Sequence, residues 1–160
     1  MFTSESLLQF YDWAQHGYNV LFDHAATLSP EELHRELPGF GFPTVCLQLA
    51  HIAGAEQFWF SRLRGDDSPD LDEDALKSVA AIRAAYGPVQ ERTREFIGSL
   101  SPAELTAPRR IDFGDGSGIM PPAGVLCHVL THGYHHKGQV VAMCRLLGHP
   151  APETDLDGAL

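Results

Sequence analysis

Four of the nine histidines fall within nine residues of one predicted helix, Val125 to Leu147, VLCHVLTHGYHHKGQVVAMCRLL. Positions three and four apart share a helical face, so the histidines sort by direction. Val125, Val129, His132, His136, Val140, Met143 and Leu147 form one apolar stripe, whereas His128 and His135 sit on its flank, ~80–100° from its centre. His132 and His136 therefore point inward. Two imidazoles one turn apart on a core-facing stripe are costly to desolvate unless something accepts their nitrogens. A buried polar network is one solution, and a divalent metal with two ligands on one helix is the other. A third ligand separates the two. His51 is the best candidate, because the segment from Thr44 to Leu63 is apolar on most faces and places Leu47, His51, Ala55 and Phe58 along one stripe. Three histidines from two facing helices leave coordination positions open to water or substrate, unlike a closed structural site.

The early FYDWA segment, the LAHIAGAEQFWFSRLRG segment and the late HVLTHGYHHKGQV segment together resemble the DinB/YfiT-like family of metalloenzymes across nearly the whole chain. In that family one histidine of the second helix and both histidines of an HxxxH pair in the fourth hold a divalent metal. Those positions are His51, His132 and His136 here. The resemblance implies an all-α four-helix bundle connected up-down-down-up, and a dimer. It also implies a metal-dependent enzyme that activates a low-molecular-weight thiol for transfer to an electrophilic small molecule. A metal-dependent hydrolase using activated water is the alternative enzyme, and a non-catalytic metal-binding stress-response protein is the alternative outside catalysis. A fourth protein ligand, His128 or His135, would favour the structural role.

The residues narrow the chemistry independently. No HExxH occurs, which removes a zincin protease. A di-iron carboxylate bundle needs Glu-x-x-His on its ligand helices, and the sole match, Glu31 to His34, lies in a turn outside the long helices. All-imidazole ligation suits zinc or nickel, with iron, manganese or copper also admitted, at one ion per chain. Gln139 shares a face with His132 and is placed either to orient a ligand or to fill a core gap. His128 and His135 are candidates for proton transfer at the rim. Glu56 lies about 140° round its helix from His51 and is not expected to serve the site.

The chain has 160 residues, 44% of them hydrophobic and 20% charged, ordinary values for one globular domain over residues 1–160. A net charge of −10 opposes docking on phosphate backbones, so nucleic acid is not an expected partner. No apolar run approaches a membrane span, and MFTSESLLQF lacks the pattern of a secretion signal, so a cytoplasmic location is expected. Cys46, Cys127 and Cys144 form no CxxC pair and read as small buried apolar residues.

In chain order, Ser4 is expected to cap a first helix ending near Leu28, with inward Leu7, Tyr11, Ala14, Tyr18, Leu21 and Ala25. Ser29, Pro30 and Glu32 form a capping box, and Ser101-Pro102-Ala103-Glu104 repeats that chemistry. The FGFP segment at 40–43 reads as a connection, not a phosphate cradle. Asp66 to Asp74 reads as an acidic, solvated linker grading into a third helix that is kinked at Gly87-Pro88. Arg109 to Met120 is expected to be a small hairpin before the last helix, and the tail after Gly148 to be mobile. Leu126, Leu130 and Val141 give the fourth helix apolar surface away from the histidine stripe, on which a homodimer is expected to form.

Overall fold

The computed structural model describes residues 2–66 and 68–156. Four long helices carry the fold: α1 (Ser4–Ala25), α3 (Val45–Arg64), α4 (Val79–Ser99) and α6 (Pro122–Leu146). Between them lie α2 (Pro30–Leu33), a 3-10 turn (Glu73–Ala75), α5 (Pro102–Thr106), and the antiparallel strands β1 (Arg109–Asp112) and β2 (Ser117–Met120). The expected all-α bundle with a small hairpin before the last helix is the observed architecture.

Side-chain contacts fix the helix directions. Along α3, Gln48 and Trp59 meet Gln139 and His128 of α6 in reverse order, so these two helices are antiparallel. Glu56 and Phe60 meet Tyr86 and Phe96 of α4 in the same order, so α3 and α4 are parallel. Asp12 and Asp23 of α1 pair with Arg94 and Arg83 of α4 in reverse order, which makes α1 antiparallel to α4. The connection is thus up-down-down-up. α1 and α3 each pack against both α4 and α6, and so occupy one diagonal of the bundle.

Local signals are read much as the residues dictate. Thr3, not Ser4, caps α1, and the Ser4 hydroxyl instead donates to the carbonyl of Leu100. The helix ends at Ala25, with a turn carrying the chain on to Leu28. The two Ser-Pro-x-Glu segments are both true capping boxes: Glu32 and Glu104 each accept from the backbone of their serine at 2.9 Å. Helix α4 continues through Gly87-Pro88, with Tyr86 and Val89 both buried.

Three expectations change. The segment after Gly65 does not grade into α4; it runs as a linker with its own 3-10 turn, and α4 begins only at Val79 under a Ser78 cap. Leu126 and Leu130 are buried within one chain and Val141 packs partly against the same core, so this stripe offers little free surface to a second copy. Up to Leu156 the tail does not leave the bundle, and residues 157–160 lie outside the described residues. Thr154 is buried and its carbonyl accepts from Lys137 Nζ at 2.6 Å, holding the chain against α6. Cys46 and Cys144 are buried as expected, whereas Cys127 is half-buried. No helix among the described residues is long and apolar enough to cross a membrane.

Candidate metal site

Helix α3 has two very different sides. Val45, Leu49, Ile52, Ala53 and Phe60 are buried in the core, while Leu47, His51 and Phe58 are only partly covered. That second stripe faces α6 across a cavity, which is why an apolar helix can present an imidazole there. From α6, His132 and His136 meet His51, with ring centroids 5.1 and 4.7 Å from it. One nitrogen from each of the three rings lies within 4.8 Å of the others. His132 Nε2 and His136 Nε2 are 3.2 Å apart.

Outer contacts decide which nitrogens remain available. His136 Nδ1 lies 2.6 Å from Gln48 Oε1, an oxygen that can only accept, so the proton sits on Nδ1 and the Nε2 lone pair is free. Gln48 is itself held, donating to the Phe42 carbonyl at 2.9 Å and to Gln139 Oε1 at 2.6 Å. His51 Nδ1 faces both carboxyl oxygens of Glu73 at 3.1 Å, which leaves His51 Nε2 for a ligand by the same logic. Phe42, from the connection before α3, stacks on the His51 ring at 4.0 Å and meets His136 edge-on. The FGFP segment is therefore a connection that also shields the site.

Burial, reinforced for His132 by the neighbouring His51 and for His136 by the neighbouring His132, pushes both imidazoles down to about 4. Both are neutral near pH 7, the state in which imidazole ligates. Two neutral Nε2 atoms this close can share one proton or together face a cation. Three clustered nitrogens with no carboxylate or thiolate among them could hold a divalent transition metal, and the donor set does not suit the hard, oxygen-seeking calcium or magnesium.

The flanking residues divide. His128 lies outside the triad, its ring edge-on to Trp59 at 4.5 Å and 5.8 Å from His132. His135 is exposed, and its Nε2 accepts from Gln139 at 2.6 Å. Gln139 makes no hydrogen bond to a ring of the triad among the described residues; it reaches His136 through Gln48 and through His135, whose ring packs edge-on to His136 at 5.1 Å. Neither His128 nor His135 fills a fourth position among the described residues. Beside His51 and His132 opens a cavity of about 360 Å³ walled by Gly54, Ala55, Phe58, Trp59, Leu71 and Glu73.

Two residues of this arrangement escape a reading of the sequence. Gln48 is one turn before His51 and carries no motif, and Glu73 sits in a segment whose acids look merely solvated. Only the approach of the linker to α3 gives Glu73 its partner.

A helical bundle with three inward histidines on two facing helices defines the class of protein. Residues 1–159 match the DinB family model, and the chain belongs to the DinB family. Protein DinB of Bacillus subtilis (strain 168) is 24% identical over 162 residues, spanning 95% of this chain and 92% of that protein. Among solved structures, a DinB-like protein from Bacillus cereus superposes with a TM-score of 0.71 at 23% identity, covering 93% of this chain and 95% of that one. A conserved protein from Enterococcus faecalis gives a TM-score of 0.67 at 13% identity, covering 92% and 98% respectively. At these identities the structural likeness concerns the fold.

Proposed function

We propose that His51, His132 and His136 hold one divalent metal ion, zinc or nickel by donor type. On this reading the site activates a low-molecular-weight thiol for transfer to an electrophilic small molecule. The observation that carries the proposal is the triad of clustered imidazole nitrogens beside an apolar cavity, with no fourth protein ligand among the described residues. When bound, such an ion supplies positive charge that lowers the pKa of an approaching thiol and raises its thiolate fraction at neutral pH.

The chain's own groups do the rest. Gln48 and Glu73 keep the ligand rings oriented from outside the triad. Phe58, Trp59, Ala55 and Leu71 bury the apolar body of the electrophile and exclude water, in a volume ordinary for a small-molecule site. On this reading His128 moves the proton, which its packing edge-on to Trp59, a wall of the cavity, and its ring 5.8 Å from His132 support. The three cysteine thiols are unsuited to act as nucleophile. Burial raises those of Cys46 and Cys127, and pushes that of Cys144 up to about 11. None of the three lines the cavity. On this reading the nucleophile is the external thiol and not a cysteine of the chain.

The test supplies zinc-loaded or nickel-loaded protein with glutathione, bacillithiol or mycothiol and a model electrophile, beside the His132→Ala variant. Thiol consumption by the intact protein alone supports transfer. Hydrolysis of a thiol-free ester or amide by the intact protein alone replaces transfer with the hydrolase, and metal binding without either reaction leaves a non-catalytic metal-binding protein.

A further inference from the structure

Glu73 reaches His51 from the linker, not from a bundle helix, and it does so over a gap. The 3-10 turn Glu73–Ala75 is closed by Asp72, whose side chain accepts from the Ala75 backbone, and this turn lays the Glu73 side chain against α3. The surface it crosses is Gly54, one turn beyond His51. A Cβ at position 54 would fall inside the van der Waals envelope of the Glu73 carboxyl group. Gly54 is also one of the cavity walls, together with Leu71 and Asp70 from the same linker. A glycine inside a buried helix costs about 0.5–1 kcal/mol against alanine, so its presence calls for a local reason, and the carboxylate is that reason.

We propose that Glu73 is a positioning residue for His51, admitted by the notch at Gly54. As acceptor for Nδ1–H it selects the tautomer whose Nε2 keeps a lone pair toward His132 and His136. Its position on the linker ties the cavity wall to the ligand set. The inference rests on the metal-site part of the functional reading and not on thiol chemistry. A carboxylate is well suited to the task, since it fixes ring orientation and tautomer and raises the basicity of the opposite nitrogen.

The experiment uses the full chain labelled with ¹⁵N-histidine, free of metal and above neutral pH, where long-range ¹H–¹⁵N correlation identifies the protonated nitrogen of each ring. Zinc titration calorimetry on the same samples gives affinity. In the wild-type protein His51 should carry its proton on Nδ1. Glu73→Leu removes the acceptor, and Gly54→Ala displaces the carboxylate while leaving it in the chain and favouring the helix. Both should move the His51 proton toward Nε2 and weaken zinc binding about 10–100-fold. Glu73→Gln, which keeps an acceptor oxygen, should retain the tautomer and most of the affinity, and the exposed Asp74→Asn should change neither. A wild-type His51 protonated on Nε2, or a tautomer unmoved in both Glu73→Leu and Gly54→Ala, overturns the assignment even if affinity falls. If the wild-type protein takes up no zinc, the metal-site reading fails separately, because the tautomer is read without metal.

Discussion

Helix α3 carries a polar cluster on each side, and the two are built on opposite plans. On the α6 side stand His51, His132 and His136. On the other side, facing α1 and α4, Glu56 is fully buried, with Tyr11 donating to one carboxyl oxygen and Tyr86 to the other, each at 2.6 Å. Gln15 donates to Tyr86 Oη at 3.0 Å and weakly to Glu56 at 3.3 Å, and is itself held by Gln90. The Glu56 cluster is closed on its carboxylate: both oxygens accept from donors within the bundle. The histidine cluster is anchored only on its outer nitrogens, at Gln48 and Glu73, while its inner nitrogens face one another beside a cavity. A polar group satisfied by its neighbours holds helices in register, whereas ring nitrogens that have only one another for partners leave a place for a cation.

Substitution should separate the two plans most sharply through metal content. His132→Ala or His136→Ala is expected to weaken zinc binding roughly a thousandfold, about 4 kcal/mol, since a bidentate remnant cannot hold an ion in competition with water. Glu56→Gln should leave the stoichiometry at one ion per chain. Elemental mass spectrometry after dialysis reads both, and full occupancy in His136→Ala would remove the ligand assignment.

The next effect is on stability and falls on the other cluster. Glu56→Ala strands the donor hydroxyls of Tyr11 and Tyr86 in the core, at about 1–3 kcal/mol for each group left without a partner, less what repacking recovers. A loss of roughly 3 kcal/mol lowers the melting temperature of a domain this size by about 6–12 °C. Glu56→Gln should lose much less, because tyrosine hydroxyls can donate to the amide oxygen or accept from its nitrogen. Thermal unfolding of the metal-free variants measures the difference, and equal losses for alanine and glutamine would mean that the network does not hold the helices.

The contrast also explains what could be read from the residues alone. His132 and His136 were legible because helical periodicity places an i,i+4 pair unambiguously, and His51 because an imidazole stands out on an apolar segment. The capping boxes at Ser29 and Ser101 were legible because cap chemistry is local. Glu56 was visible only as a residue pointing away from His51. That is true, and it hid the function of the far side, since its partners Tyr11 and Tyr86 lie 45 and 30 residues away. Glu73 failed for a related reason. In an acidic linker nothing distinguishes the one carboxylate that folds back from those that face water. Leu126 and Leu130 looked like free apolar surface because a fully buried helix is apolar all round, and only packing tells inside from outside.

The smallest expected effect is the pH dependence of stability in the metal-free protein, where the two clusters should pull in opposite directions. His132 and His136 are held down to about 4, from an ordinary value of 6.5, mainly by burial. Between those values the unfolded chain binds protons that the folded chain refuses, so their contribution is complete above about pH 6.5 and is lost as pH falls toward 4. Burial raises the carboxyl group of Glu56, with the tyrosine hydrogen bonds opposing it. For that group the unfolded chain releases its proton first, so its contribution is complete below the ordinary glutamate value of 4.5 and declines as pH rises from there. Urea unfolding from pH 4 to pH 8 in the presence of a chelator measures the sum. The His132→Ala, His136→Ala double variant should flatten the fall on the acid side, and Glu56→Gln should remove the loss that accumulates as pH rises. Saturating zinc should steepen the acid limb of the wild-type protein, because ion binding and histidine protonation compete for the same nitrogens. If the double variant keeps the wild-type acid limb, the rings are not held neutral by the fold. The inner nitrogens would then already be answered, which is the plan of the Glu56 cluster and not that of a metal site.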